Sequence, residues 1–367
     1  MIGNGHFSPA LALSDYINNN YSRKYKAKVV DLAKELNAHF FYRSYSESWK
    51  YVGLRKPLLA TAFFNLGDNR FISWLVNGFF GMGLKKRLKA FLEKEKPDIF
   101  VTTHYFFAHR FGALKKNGKS AIPHISINTD PFFGHHFWAD RCCDAMVVFS
   151  KEAKSQLKER GVSSAQIHVF PYPINPKFEI IKYYPREIKK ELGLRQDTLT
   201  FSMSAGGEGI GIMHDHIKFL QRKKLDIQFV VMCGRNKELK FKLEQEVKGF
   251  AGPPYIYVKG FVHNIEKYLI ASDFMVGKAG ANFTFEALRL GKPVIHNAWV
   301  HNEIGTKDFV VDNGFGFAAD TPWDLHSLIL KIVKDKRILN ECKKRIAGHK
   351  IINGTAQLSD FIINQVK

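Results

Sequence analysis

The chain has 367 residues, 45% of them hydrophobic, enough for two domains of ordinary size with substantial cores, which excludes an intrinsically disordered protein. Its formal net charge of +21 points to an anionic partner or a lysine-rich background, yet no zinc-finger spacing, RNP-like motif or basic heptad region accompanies it, which argues against specific nucleic-acid binding. No run approaches the roughly 20 uninterrupted apolar residues that cross a bilayer and no secretory signal opens the chain, so a soluble or peripheral protein is expected.

The first motif is Gly3-Asn4-Gly5-His6-Phe7-Ser8-Pro9-Ala10, a histidine at the mouth of a glycine turn that opens a helix through Leu11, Leu13 and Ile17. In a Rossmann-like half such a loop follows the first, central strand, but only Met1 and Ile2 precede it here. That strand is expected to be missing or truncated, with a misplaced start codon as the working explanation. Ala27 to Leu32 reads as a strand. Between Tyr42 and Lys96 basic residues interleave with aromatics: Trp49, Arg55, Lys56, Phe63, Phe64, Phe71, Trp74, Phe79 and Phe80, then Lys85, Lys86, Arg87 and Lys89. Such a mixture suits the headgroup boundary of an anionic membrane, where each cation contributes about 1 kcal/mol. Phe71, Trp74, Leu75 and Phe79 also recur at helical spacing, which fits equally well with packing on the domain.

The next elements alternate in a doubly wound α/β pattern: a helix from Leu84 to Glu95, a strand from Ile99 to Thr103, a helix from His104 to Asn117 and a strand from His124 to Asn128. His104 and Asp130 follow the carboxyl ends of these strands, where open parallel sheets place their ligands; strand capping is the plainer alternative. A further strand and helix are read at Ala145 to Phe149 and Lys151 to Arg160. His135, His136, Cys142 and Cys143 match no standard ligand spacing, so no metal is expected. With Cys233 and Cys342 there are four cysteines and no paired-motif spacing, and a bridge between neighbours Cys142 and Cys143 would be strained, which fits a reducing cytoplasm.

Pro171, Pro173, Pro176 and Pro185 mark a linker. The reading is therefore a first domain over 1–172, a linker over 173–185, a second domain over 186–345 and a C-terminal helical segment over 346–367 that returns to the first. In the second domain, Ser204-Ala205-Gly206-Gly207-Glu208-Gly209-Ile210-Gly211 forms a strand-to-helix turn whose spacing is wrong for a dinucleotide fingerprint. His214-Asp215-His216 begins the following helix. Strands at Gln228 to Cys233 and Ile256 to Phe261 end near Arg235, Asn236 and Val262.

The segment from Phe274 to Phe317 carries the most chemistry. An apolar strand runs into Gly277-Lys278-Ala279-Gly280, followed by Ala281, Asn282 and a helix from Phe283 to Leu290 stopped by Gly291 and Pro293. Free N–H groups and the positive dipole end at that helix start suit a phosphate, with Thr284 adding a hydroxyl. Glu286, one turn beyond Asn282, can accept two ribose hydroxyl hydrogen bonds.

These motifs together resemble glycosyltransferase family 28, in particular the diacylglycerol glycosyltransferases typified by monogalactosyldiacylglycerol synthase. The resemblance rests on Gly5-His6, on Pro97 to His104, on Gly206 to Gly211 and on Lys278-Ala279-Gly280 through Thr284, Glu286 and Ala287, in order along nearly the whole chain. It implies a GT-B fold, two Rossmann-like domains with a cleft between them. It also implies an inverting transfer of hexose from a UDP-sugar to the 3-hydroxyl of diacylglycerol, without a cofactor, by a protein peripheral on the cytoplasmic face of the cell membrane. His6 would be the base or acceptor-positioning group, with Gly5, His104 and Asp130 beside the acceptor. Gly207, Glu208, Gly209, Arg235, Phe261, Val262, Lys278, Gly280, Ala281, Asn282, Thr284 and Glu286 would bind the donor. Asn302 and Glu303 would read the sugar, although the family usually carries Gln-Glu there. Gly5 to Ala12 also resembles the loop of the peptidoglycan N-acetylglucosaminyltransferase, and a lipid-binding protein that lost catalysis is the alternative of a different class.

Overall fold

The structure, a computed structural model, describes residues 5–38, 57–80, 83–179, 184–204, 219, 221–222, 224–250 and 252–366. The chain forms two compact units, one of Met1–Asn175, Val300–Gly305 and Asn353–Lys367, the other of Pro176–Trp299 and Thr306–Ile352. Trp49, Arg55, Lys56, Gly207, Glu208 and Gly209 lie outside the described residues.

The first unit begins with α1 (Phe7–Asn20) and α2 (Leu32–Glu35), a helical hairpin of α3 (Pro57–Gly67) and α4 (Arg70–Phe80), and α5 (Leu84–Glu95). Strands and helices then alternate as β1 (Phe100–Thr102), α6 (Tyr105–Lys116), β2 (His124–Ile127), β3 (Ala145–Val148), α7 (Lys151–Glu159) and β4 (Ile167–Val169). The strands form one parallel sheet in the order β1-β2-β3-β4. Both faces of β2 and β3 are buried, which is why His124–Ile127 and Ala145–Val148 read as unbroken runs rather than alternating ones.

Ala27 to Leu32 is not a strand. The Ala27 N–H donates to Asn18 Oδ1 at 2.8 Å, and its carbonyl accepts from Asn18 Nδ2 at 2.9 Å and Ser14 Oγ at 3.2 Å. Side chains of α1 thus satisfy the peptide groups that a neighbouring strand would otherwise have to pair.

The α3–α4 hairpin turns an apolar face outward. Phe63 is 66% and Trp74 67% exposed, with Leu59, Leu66, Phe71 and Leu75 also exposed, so these residues do not pack against the domain. Asp68, in the turn between the helices, fixes the hairpin. Its carboxylate accepts from the His136 N–H and Nδ1, each at 2.9 Å, and from both Nε and Nη2 of Arg160. Burial alone would raise the Asp68 carboxyl, but the Arg160 guanidinium and the His136 donors outweigh it and hold the group well below the carboxylate range. Two neighbouring histidines hold the hairpin: His135 Nε2 lies 2.9 Å from the Phe64 carbonyl, and His136 bonds Asp68.

The second unit contains α8 (Pro185–Glu191), β5 (Leu199–Ser204), β6 (Ile227–Met232), α9 (Lys237–Val247), β7 (Tyr255–Lys259), α10 (Ile265–Ala271), β8 (Phe274–Lys278) and α11 (Ala281–Arg289). It continues with β9 (Val294–Ala298), α12 (Ile304–Asp312, whose first two residues belong to the first unit), β10 (Gly316–Ala318), α13 (Pro322–Lys334) and α14 (Arg337–His349). Its parallel sheet has the order β10-β9-β8-β5-β6-β7. Phe201 stacks on Phe229 at 5.3 Å and on Phe274 at 5.7 Å, all three fully buried, and these rings anchor the core under the central strands.

Helix α14 lies wholly in the second unit, so the chain leaves that unit later than residue 346. The last helix, α15 (Thr355–Ile363), belongs to the first unit, where Tyr21 Oη donates to Asp360 at 2.6 Å. Just before it, Asn353 exchanges hydrogen bonds with the backbone of Ile174 at 2.8 and 2.9 Å.

Candidate active site

In the second unit the strand order reverses between β5 and β8, the topological switch point at whose carboxyl ends parallel α/β sheets hold ligands. β5 ends there at Ser204, and β8 runs on into Ala279, Gly280 and the start of α11. Gly277 and Lys278 belong to β8 itself, a longer strand than the sequence suggested. A side chain at Gly277 would meet the Phe283 ring at 2.9 Å and the Ser204 carbonyl at 3.1 Å, so only glycine lets the two strand ends approach. Gly280 is the N-cap of α11 and offers no side chain to cap it, so the positive end of the helix dipole lies at the end of β8, the kind of place that suits an anion.

Thr284 does not present its hydroxyl to that site. It is fully buried; its Oγ1 donates to the Gly280 carbonyl at 3.0 Å and lies 3.3 Å from His296 Nε2. The helix geometry explains this, since a threonine in the first turn bonds back to the carbonyl four residues earlier. His296 backs the loop from β9, its Nδ1 3.4 Å from the Gly277 carbonyl. Burial lowers this imidazole to about 4, with the Gly277 carbonyl opposing the shift and Lys307 adding to it. Glu286 and Asn282 are partly buried and Lys278 is exposed. After β6, the Arg235 guanidinium lies over the Phe261 ring at 4.4 Å, and Phe261 is itself exposed beside Val262. An arginine-covered aromatic at a strand end is a platform suited to a planar base.

The first unit gathers a second group. His6 caps α1, its Nδ1 2.7 Å from Thr129 Oγ1 and its ring 4.5 Å from that of His104 and 6.0 Å from that of Trp138. Burial pulls His6 down to about 4, opposed by a backbone hydrogen bond with Thr103. It is therefore neutral at neutral pH but a weaker base than its unperturbed value near 6.5 would make it. His104 is also held well below its ordinary range, by burial and then by the neighbouring His6. It caps α6, Nδ1 accepting from the Phe106 N–H at 3.3 Å, so the plain capping role is real. Asp130 accepts from Trp138 Nε1 at 2.8 Å and from Asn302 Nδ2 at 2.7 Å, while its own N–H donates to Asn128 Oδ1 at 3.0 Å. Gly5 is exposed at the start of this group.

Asn302 and Glu303 thus belong with Asp130 to the first unit, and Glu286 belongs to the second. Glu303 turns back to accept the Val300 N–H at 3.1 Å, which caps its own turn. Arg87 is exposed, and its guanidinium also donates to the Leu36 and Asn37 carbonyls at 3.0 and 3.1 Å. Lys86 and Lys89 remain exposed and Lys85 partly so. Thr129, Trp138 and His296 escaped the sequence reading; none belongs to a recognisable motif, and only the fold brings them to the named residues.

Comparison with known proteins agrees with this layout. The family model described as Monogalactosyldiacylglycerol (MGDG) synthase matches residues 6–174, and that of the Glycosyltransferase family 28 C-terminal domain matches residues 210–303. The chain is 27% identical over 339 residues to the probable monogalactosyldiacylglycerol synthase 3 of Oryza sativa subsp. japonica, covering 90% of this chain and 66% of that protein. It is 27% identical to monogalactosyldiacylglycerol synthase 2 of Arabidopsis thaliana, covering 87% and 69%. It spans about two thirds of the length of these relatives. Among solved structures, MurG of Acinetobacter baumannii aligns with a TM-score of 0.56 at 15% identity, covering 78% of this chain and 79% of that one. Anabaena HepE in complex with UDP-glucose aligns at 0.54 and 13% identity, covering 77% and 81%. The two family models fall one in each half of the chain, which has the GT-B fold and is similar over about nine tenths of its length to the monogalactosyldiacylglycerol synthases.

Proposed function

We propose that the protein transfers a hexose, with inversion, from a UDP-sugar to the 3-hydroxyl of diacylglycerol at the cytoplasmic surface of an anionic membrane. The observation that carries this reading is the switch-point arrangement of the second unit, where the glycine-bounded end of β8 delivers the start of α11, with the Arg235–Phe261 platform following β6 and β7 of the same parallel sheet. Uracil would stack at that platform, Glu286 would hold the ribose, and the diphosphate would lie against the N–H groups at the start of α11. There the fixed dipole and donors stabilise the negative charge of the leaving group, which is where charge develops in the transition state. The reading needs no metal for this step.

On the acceptor side, Asp130, oriented by Trp138 and Asn302, would hold the attacking hydroxyl, and His6, neutral at neutral pH, would accept or orient its proton. The exposed apolar face of α3 and α4, followed in the chain by Lys85, Lys86 and Lys89, supports a lipid surface as the place of reaction. The similarity to synthases named for a galactolipid supports diacylglycerol as acceptor.

The test is product formation from UDP-glucose, UDP-galactose and UDP-N-acetylglucosamine with diacylglycerol in micelles containing anionic lipid, together with calorimetric UDP binding. Glycolipid from one hexose donor is expected. UDP binding without a diacylglycerol product would move the acceptor to another lipid, such as a peptidoglycan intermediate. No UDP binding at all would leave a lipid-binding protein that has lost catalysis.

A further inference from the structure

The turn His301–Glu303 lies between two parts of the first unit that sequence reading treats separately. On one side, the His301 ring is 5.4 Å from Phe64 of α3 and 5.7 Å, edge to face, from Phe133. On the other, the next residue, Asn302, donates to Asp130. Phe64 is the inward neighbour of exposed Phe63, and its own position is set by His135, whose ring lies 4.2 Å away and whose Nε2 is 2.9 Å from the Phe64 carbonyl. One turn further along, Asp68 pins the end of the hairpin to His136 and Arg160, so a load on the apolar face of α3 acts on Phe64 against a fixed end. The turn cannot slide away from Asp130 on its far side either. A side chain at Gly305 would meet Phe132 at 2.5 Å, and Phe132 lies in the tight turn that closes with the Phe133 N–H on the Asp130 carbonyl at 3.3 Å.

We propose that His301 is a positioning residue: wedged between Phe64 and Phe133, it carries the seating of the α3–α4 hairpin on a lipid surface to the Asn302–Asp130 pair, so that the acceptor carboxylate is set when the hairpin is docked. The inference rests on the proposed reading of a lipid acceptor at a membrane. Its chemistry is ring packing rather than charge, since the contacts of His301 with Phe64 and Phe133 are aromatic. A short chain of packed groups with a fixed end is the kind of element that can transmit a bias of this size.

Two variants test it. His301→Ala removes both ring contacts, and His301→Phe keeps them while removing the imidazole. With diacylglycerol in anionic vesicles, His301→Ala is expected to lower kcat about tenfold, the scale of a modest coupling free energy. Vesicle co-sedimentation, UDP affinity and the melting temperature should be unchanged, and His301→Phe should restore kcat. Wild-type kcat in the alanine variant, or failure of phenylalanine to restore it, would overturn the proposal. So would a parallel loss of vesicle binding, because the residue would then act in docking itself. A wild-type protein that binds UDP but turns over no lipid acceptor would overturn the functional reading and this inference with it, whereas an active wild type with an unaffected alanine variant would remove the inference alone.

Discussion

Asn302 Nδ2 donates to Asp130 Oδ1 at 2.7 Å, joining residues 172 positions apart, while Trp138 Nε1 holds the other oxygen at 2.8 Å. Hydrogen bonds to a charged group are each worth about 1.5–3 kcal/mol, so the carboxylate is fixed in orientation before any acceptor arrives. Asp130→Asn keeps the shape but sets an amide N–H against one of two donors. It should lower kcat/KM for the acceptor by about two orders of magnitude, the range of a lost acid–base or orienting group. UDP affinity measured by calorimetry should not move; a matching loss of UDP binding would remove Asp130 from the acceptor side.

Glu286 stands one helical turn beyond Asn282 on α11, on the same helix whose start faces the switch point. If its carboxylate accepts ribose hydroxyls, the wild type should bind UDP about tenfold more tightly than 2′-deoxy-UDP, the value of a hydrogen bond to a charged acceptor. Glu286→Ala should bind both equally and weakly. Unchanged discrimination in the variant would mean that the ribose is read elsewhere.

The sheet of the second unit was legible because buried parallel strands leave continuous apolar runs, such as Phe229 to Met232 and Phe274 to Val276, and because glycines stand where they end. The turn from β8 into α11 was legible for the same reason, but not the direction of the Thr284 hydroxyl. That direction is set by the Gly280 carbonyl and by His296, a residue on another strand that no local spacing reveals. Ala27 to Leu32 misled because β-branched composition does not say whether a partner strand or side chains such as Asn18 will take the peptide groups. The Asn302–Asp130 hydrogen bond was not legible for a different reason: Asn302 follows the β8–α11 turn in the chain, and only the path of the folded chain brings it to Asp130.

Stability should depend on pH in a defined direction. Burial lowers His6, His135 and His296 to about 4 and His124 to about 3, from an ordinary value of 6.5. Between those values the unfolded chain binds protons that the folded one does not, so stability rises with pH from about 4 and levels off above about 6.5. Each such group contributes a slope of at most about 1.4 kcal/mol per pH unit. Melting followed by calorimetry between pH 4.5 and 8 should show the midpoint climbing and then reaching a plateau. His296→Gln should flatten the climb of the second unit only. A midpoint that is flat below pH 6 would mean that these imidazoles are solvated in the folded protein.

The hairpin separates two kinds of substitution. Phe63 and Trp74 are two-thirds exposed, so replacing each with serine removes little from the fold, whereas burying each side chain in a headgroup boundary contributes about 1.5–3 kcal/mol. The double variant should therefore lose at least tenfold in affinity for anionic vesicles, with an unchanged melting temperature and unchanged UDP binding. Asp68→Ala should do the opposite. It leaves the partly buried Arg160 without its carboxylate and frees the hairpin from His136, costing about 1 kcal/mol after allowance for solvent screening, with faster proteolysis in the hairpin while the exposed apolar face is kept. Co-sedimentation with vesicles, melting curves and limited proteolysis on the two variants distinguish them. A lower melting temperature in the Phe63 and Trp74 variant would show that protein rather than lipid covers this face in solution.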